Sequence, residues 1–220
     1  MQFFGYFRDS SSDIDEFLYE DPDWQLHSRE KGGQLQLLHR PAGGDWSMQL
    51  SMKHYETERR SQNPRQAPTE NLIDTRYQGE HQGIEARFSS YVLQGHELSA
   101  IAGYRRDTLL SSGFSAFGSD FGDFVIEENT DAATSSSSLV LQDQWTGARN
   151  ESVTGSLRLE DYDDFGSVVS WRLAGSLPFA QQNGRLHLSA GTGFKAPGLY
   201  ELYGFSPNNF GSAYRGNPDL

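Results

Sequence analysis

Carboxylates are the residues best equipped for chemistry in this sequence, and they cluster. Asp9, Asp13, Asp15, Glu16, Glu20, Asp21 and Asp23 form one group, and Asp120, Asp123, Glu127, Glu128 and Asp131 form a second. Hard oxygen ligands on flexible loops suit Ca²⁺, which makes Asp120, Asp123, Glu127 and Glu128 the candidate contacts for a loop-bound cation or ligand. Neither group has the ligand spacing of a defined calcium loop, so a solvated acidic face competes with that reading. No cofactor is expected beyond such an ion. Asp161, Asp163 and Asp164, grouped with Tyr162, read as a turn. Paired carboxylates for hydrolysis need a fixed separation on a rigid frame, which spacing along loops does not supply. His27, His39, His54, His81, His96 and His187 are scattered without a close pair. There is no cysteine, so thiol catalysis and Cys-ligated metals are excluded. GQLQLLHRPAGG (33–44) is glycine-bordered, but it reads as a strand and a turn rather than a phosphate cradle. An enzyme is not expected.

The elements that must carry these groups are strands. Period-2 alternation recurs, and helical periodicity is scarce. Trp46, Met48, Leu50 and Met52 fall on one face, with Ser47, Gln49, Ser51 and Lys53 on the other. Val169, Trp171, Leu173 and Leu177 likewise oppose Ser170, Arg172 and Ser176. Nine strands are expected, at 1–8, 33–40, 46–56, 80–92, 96–107, 138–146, 151–161, 167–177 and 185–195. Short connections (41–45, 93–95, 146–149, 178–184) alternate with long ones (9–32, 57–79, 108–137), apart from one short turn near Asp163. Tight turns at one end and long loops at the other suit an outer-membrane barrel. A strand of about eleven residues spans about 36 Å, or roughly 26 Å when tilted by about 45°. Aromatics are 13% of residues. Many of them, including Phe3, Tyr6, Trp46, Tyr55, Tyr162 and Phe194, stand near expected strand ends, as interfacial girdles require. The formal net charge of -12 argues against a nucleic-acid partner. No apolar run is long enough for a transmembrane helix, and MQFFGYFRDSSSD lacks the pattern of a secretory signal.

From Leu139 onward the sequence resembles the barrel of TonB-dependent outer-membrane receptors, of the vitamin B12 and siderophore type. The stretches that carry the resemblance are LQDQW (141–145), SLRLEDYDDFGS (156–167), SWRLAGSLPF (170–179), LHLSAGTGFKAPGLYELYG (186–204) and GNPDL (216–220). Gly193, Phe194, Lys195, Ala196, Pro197, Leu199, Tyr200, Tyr203, Gly204, Asn217 and Pro218 match the family motif. They are expected to be mainly structural, at a strand end and an external loop, with Pro197 closing the strand. The resemblance implies an all-β fold, an antiparallel transmembrane β-barrel that is partial here. About nine strands of a barrel of about 22 would be present. Residues 1–220 would then be a fragment of that barrel domain, without the plug, the energy-coupling segment or the later strands. The implied function is active uptake of a bulky scarce solute, a siderophore-metal chelate or cobalamin, at the cell outer membrane of a Gram-negative bacterium. The implied partners are outer-membrane lipid, the inner-membrane TonB complex, and the chelate or corrinoid itself. A passive porin-like channel and a soluble all-β binding module are the alternatives.

Overall fold

The computed structural model describes residues 1–14, 23–64, 72–117, 124–179, 184–206 and 214–220. Nine strands form one antiparallel sheet. They are β1 (Gln2–Asp13), β2 (Gln25–His39), β3 (Trp46–Asn63), β4 (Leu72–Ser90), β5 (His96–Phe117), β6 (Phe124–Thr146), β7 (Ser152–Tyr162), β8 (Gly166–Phe179) and β9 (Gly184–Gly191). They lie side by side in chain order. A short helix, α1 (Leu199–Tyr203), and two small strands, β10 (Phe205–Ser206) and β11 (Tyr214–Arg215), follow.

β1 and β9 are the edges of this sheet and do not pair with each other. The sheet is open, which corrects the expected transmembrane β-barrel. Each edge presents a row of backbone N–H and C=O groups, and hydrocarbon offers such groups no partner. Among the described residues no helix is long and apolar enough to cross a membrane, a statement that does not concern strands.

The expected connections 57–79 and 108–137 are largely strand. β3 continues to Asn63, β4 begins at Leu72, β5 reaches Phe117, and β6 starts at Phe124. The β3 extension is polar on both faces, and in the others adjacent apolar residues such as Leu109 and Leu110 fall on opposite faces, so no clean hydrophobic alternation marks them. Glu56, Glu58 and Arg60 alternate in β3 with Thr57, Arg59 and Ser61. Cross-strand ion pairs line up instead: Lys31 with Glu56 at 2.7 Å, Arg76 with Glu58 at 2.8 Å, and Arg60 with Asp74 at 3.3 Å. The Lys31 ammonium, with His54 second, holds the Glu56 carboxyl below its ordinary range. Exposed pairs of this kind are individually worth little. The continuous backbone ladder and the shared register carry the extension.

β9 is shorter than expected and stops at Gly191, before Pro197 is reached. Beyond it, the Thr192 N–H donates to the Trp171 carbonyl at 2.9 Å, and the Thr192 hydroxyl accepts from the Trp171 N–H at 3.1 Å. A side-chain oxygen thus takes the place of the next ladder carbonyl. A Cβ at Gly191 would stand 2.6 Å from the Trp171 oxygen, so the closing contact needs glycine.

Register separates the two faces. Leu35, Met52, Ile84 and Tyr104 are aligned partners on β2 to β5, so they share a face. Ser51 and Glu85 lie on the opposite, polar face. The apolar face stays open, with Met48, Phe88 and Leu141 each about half exposed. An apolar surface of this extent marks a face that meets another apolar body. Assigning that body to outer-membrane lipid depends on closure of the barrel and falls with it. Dry packing occurs elsewhere: Ile73, Tyr162, Leu199, Leu202 and Phe205 are buried, and α1 packs against β5 and β6.

Candidate functional site

A single register row crosses the polar face: Tyr6, Gly32, Tyr55, His81, Asp107 and Thr134 are successive cross-strand partners on β1 to β6. Cross-strand neighbours on one face bring their side chains into contact, so this row becomes a continuous surface. The rings of Tyr6 and Tyr55 lie 6.1 Å apart, and those of Tyr55 and His81 lie 5.9 Å apart in a stacked arrangement. Gly32 makes the first contact possible. A Cβ there would stand 2.3 Å from Cδ1 of Tyr55, which leans across the glycine towards Tyr6. His81 Nδ1 lies 2.6 Å from an Asp107 oxygen, and Arg105 Nε pairs with the other Asp107 oxygen at 3.1 Å. Thr134 Oγ1 ends the row. Among the described residues it is buried without a hydrogen-bond partner.

Residues 196–204 roof this row. The Gly198 N–H donates to the Glu201 carboxylate at 2.7 Å and starts α1. That N–H, with Lys195 beyond it, holds the Glu201 carboxyl below its ordinary range. The roof is tied down by the Tyr77 hydroxyl, which donates to the Phe205 carbonyl at 3.0 Å, and by the Thr130 hydroxyl, which donates to the Tyr203 carbonyl at 3.4 Å. The residues just after β11 close it from above: the Gly216 N–H donates to the Gly204 carbonyl at 2.7 Å and the Asn217 N–H to the Glu201 carbonyl at 3.0 Å. Tyr200 and Tyr214 stack at 5.1 Å. Between roof and row lies a cavity of 590 Å³, with Tyr6, Tyr55, His81, Tyr162, Pro197 and Leu199 in its lining. Its size falls in the range of about 300–1,000 Å³ typical of small-molecule sites.

Tyr162 forms the flank, with Phe165 and Phe194 at ring distances of 6.0 and 5.9 Å. Burial, and then the Glu160 carboxylate, raises its hydroxyl above the usual 10.0. The folded state therefore holds this proton more tightly than the unfolded chain. That contribution is complete below pH 10.0 and is lost as pH rises through the raised pKa. Spectroscopic titration of tyrosinate should show one late-ionising residue that disappears in Tyr162→Phe. A titration curve unchanged by that substitution would contradict the placement.

The motif residues divide between several tasks. Ala196, Pro197 and Leu199 line the cavity, and Phe194 packs on Tyr162. Lys195 reaches Glu201 at 3.4 Å. Tyr200, Tyr203 and Gly204 build α1 and its end, where a Cβ on Gly204 would stand 2.4 Å from the Tyr200 oxygen. Asn217 ties the Glu201 carbonyl, Pro218 follows it in the sequence, and Gly193 has open space around it. Asp120 and Asp123 lie outside the described residues, as do Asp15, Glu16, Glu20 and Asp21. Glu127 and Glu128 sit within β6 rather than on a loop, and Asp9 and Asp13 within β1. Among the described residues no group of three or more His, Cys, Asp or Glu could hold a metal ion. Tyr6, Tyr55 and Tyr162 line the cavity, although their positions near expected strand ends read as girdle residues. Alternation marks which face a residue takes, but only register shows that these share one place.

A model of the TonB dependent receptor-like beta-barrel family matches residues 2–220. The chain belongs to that family. The family is non-catalytic, and the chain is not an enzyme. Among solved structures, the RagAB peptide importer in its closed-closed state is similar over 90% of this chain and 26% of its own, at 17% identity and a TM-score of 0.54. That likeness shows a shared fold. The RagAB peptide transporter aligns over 90% of this chain and 27% of its own, at 20% identity and a TM-score of 0.46. The chain thus spans about a quarter of these relatives. No curated protein matches it. The finer identification, a vitamin B12 or siderophore receptor barrel, is corrected by the open sheet. Active uptake, the TonB complex, outer-membrane lipid, the chelate or corrinoid partner and the outer-membrane location all depend on a closed transmembrane barrel. β1 and β9 do not form one.

Proposed function

We propose that this member of the TonB-dependent receptor-like family is a non-enzymatic, open all-β binding module. Its ligand is a small organic molecule seated between the polar face and the 196–204 roof. The observation that carries this reading is the roofed cavity of 590 Å³ over the Tyr6–Tyr55–His81–Asp107–Thr134 row. Aromatic walls with a few convergent polar groups are the usual make-up of a ligand site. A similar structure is described as a peptide importer, so short peptides belong among the first ligands to test.

NMR screening of a fragment and short-peptide collection should give hits that shift Tyr55, His81 and Leu199 together. Gly32→Val, which pushes the Tyr55 ring out of the row, should weaken those hits about tenfold or more, a loss of about 1.4 kcal/mol. Hits that leave these three residues unmoved, or that bind Gly32→Val equally well, would overturn the reading.

A further inference from the structure

We infer that the cavity recognises a cationic group on its ligand, an ammonium or a guanidinium, and that Glu30 is its counter-ion. This rests on the binding reading above and adds the chemical class. Among the described residues, Glu30, Glu56, Glu80 and Asp107 border the cavity. Glu56 and Glu80 are register partners whose side chains lie on the opposite face, where Lys31 and His54 engage them, so Glu30 and Asp107 are the two on the cavity's own face. Asp107 is held by His81 and Arg105. Glu30 is half-buried, and among the described residues no ion pair or hydrogen bond reaches its carboxylate. Arg8 is its cross-strand partner in register, yet the two form no ion pair. Lys31, the next residue in the chain, is on the other face and committed to Glu56.

Glu30 stands two residues from Gly32 on the same face, beside the Tyr6–Tyr55 pair. A carboxylate next to exposed ring faces is the arrangement that binds a cation best, because the rings add attraction through their quadrupoles. The missing side chain at Gly32 lets the Tyr55 ring lie against Tyr6. Arg105, the one guanidinium bordering the cavity among the described residues, is tied to Asp107 and does not compete for Glu30. The net charge of -12 draws cations towards the protein over a longer range.

The test compares Nα-acetylarginine amide with Nα-acetylcitrulline amide, its neutral near-isostere, on the intact chain. The arginine derivative should bind at least about tenfold tighter, the size expected of one charge-assisted contact, and should shift Tyr6 and Tyr55. The preference should shrink with added salt and vanish in Glu30→Gln. Equal binding of the two probes at the cavity, or a preference that survives Glu30→Gln, would overturn the cation site while leaving the binding module standing. Cavity shifts from neither probe, together with none from the wider fragment screen, would remove both readings. The comparison of probes on the unaltered chain stands even if Glu30→Gln fails to fold.

Discussion

Leu202→Ala should release the roof and leave the sheet intact. Leu202 is 1% exposed and is among the largest fully buried side chains among the described residues. It sits on α1, which packs against β5 and β6. Truncating a buried leucine removes its transfer energy and leaves a cavity, together about 2–5 kcal/mol. α1 has five residues, too few to be stable alone, and its other ties are the buried Leu199 and Phe205, the Tyr200 ring contacts and a few hydrogen bonds. The loss should therefore appear as detachment of residues 196–204 at a temperature where the strand ladder is still formed. Protein NMR would show it as loss of the ring-current shifts between Tyr77 and Tyr200, whose rings now meet edge-on at 6.5 Å. A single melting transition shared by roof and sheet, shifted no more than by a surface substitution, would contradict the assignment.

Gly216→Val should have an effect of similar size through a different route. A Cβ at this position would stand 2.5 Å from the Leu202 carbonyl carbon and 2.6 Å from both the Leu202 oxygen and the Tyr203 nitrogen. All three are backbone atoms, so no side chain can rotate away. The Gly216 N–H is also the donor to the Gly204 carbonyl. The segment around Gly216 must lift, and the hydrogen bond and the Tyr200–Tyr214 stack go with it. Overpacking of this kind costs about 1–3 kcal/mol, and the stack adds about 0.5–1.5 kcal/mol. Limited proteolysis should cut between α1 and β11 in the variant much faster than in the parent. An unchanged cleavage rate would show that the segment has room that the geometry denies. Gly43, with open space around it, is the control site, and its φ of +68° makes Asn the tolerated replacement there.

How far the sequence foretells this molecule depends on whether a strand has one apolar face. Trp46 to Met52 and Val169 to Leu177 alternate cleanly, so those strands are legible. Thr57 to Asn63 is polar on both faces, and Thr108 to Phe117 places Leu109 and Leu110 on opposite faces among serines, so the alternating signal vanishes although the backbone ladder does not. α1 was illegible for another reason: five residues between two glycines carry no periodicity. The cavity was the least legible part. Tyr6, Tyr55, His81, Asp107 and Thr134 come from five different strands, and only the register of each pairing decides that they fall in one row. Motif resemblance did point at Pro197 and Leu199, but as a strand end and a loop. Their part in a cavity appears only once the segment folds back over β4 to β6. Closure of the sheet was beyond the reach of alternation altogether, since period 2 is the same in an open sheet and a closed one.

The strict neighbour-to-neighbour order of the sheet has a consequence for how the protein comes apart. No strand waits for a distant partner, so each hairpin can form from local contacts, the condition for rapid folding. Stability in such a stack is close to a sum over adjacent interfaces, as in repeat proteins, and opening proceeds inward from the ends. Amide hydrogen exchange should therefore be graded. It should be slowest in β5 and β6, the longest strands at 22 and 23 residues, which also carry the roof. It should be fastest in β1 and β9, which have a neighbour on one side only. Because Tyr6 lies on β1, the ring at the end of the binding row belongs to the strand that opens first.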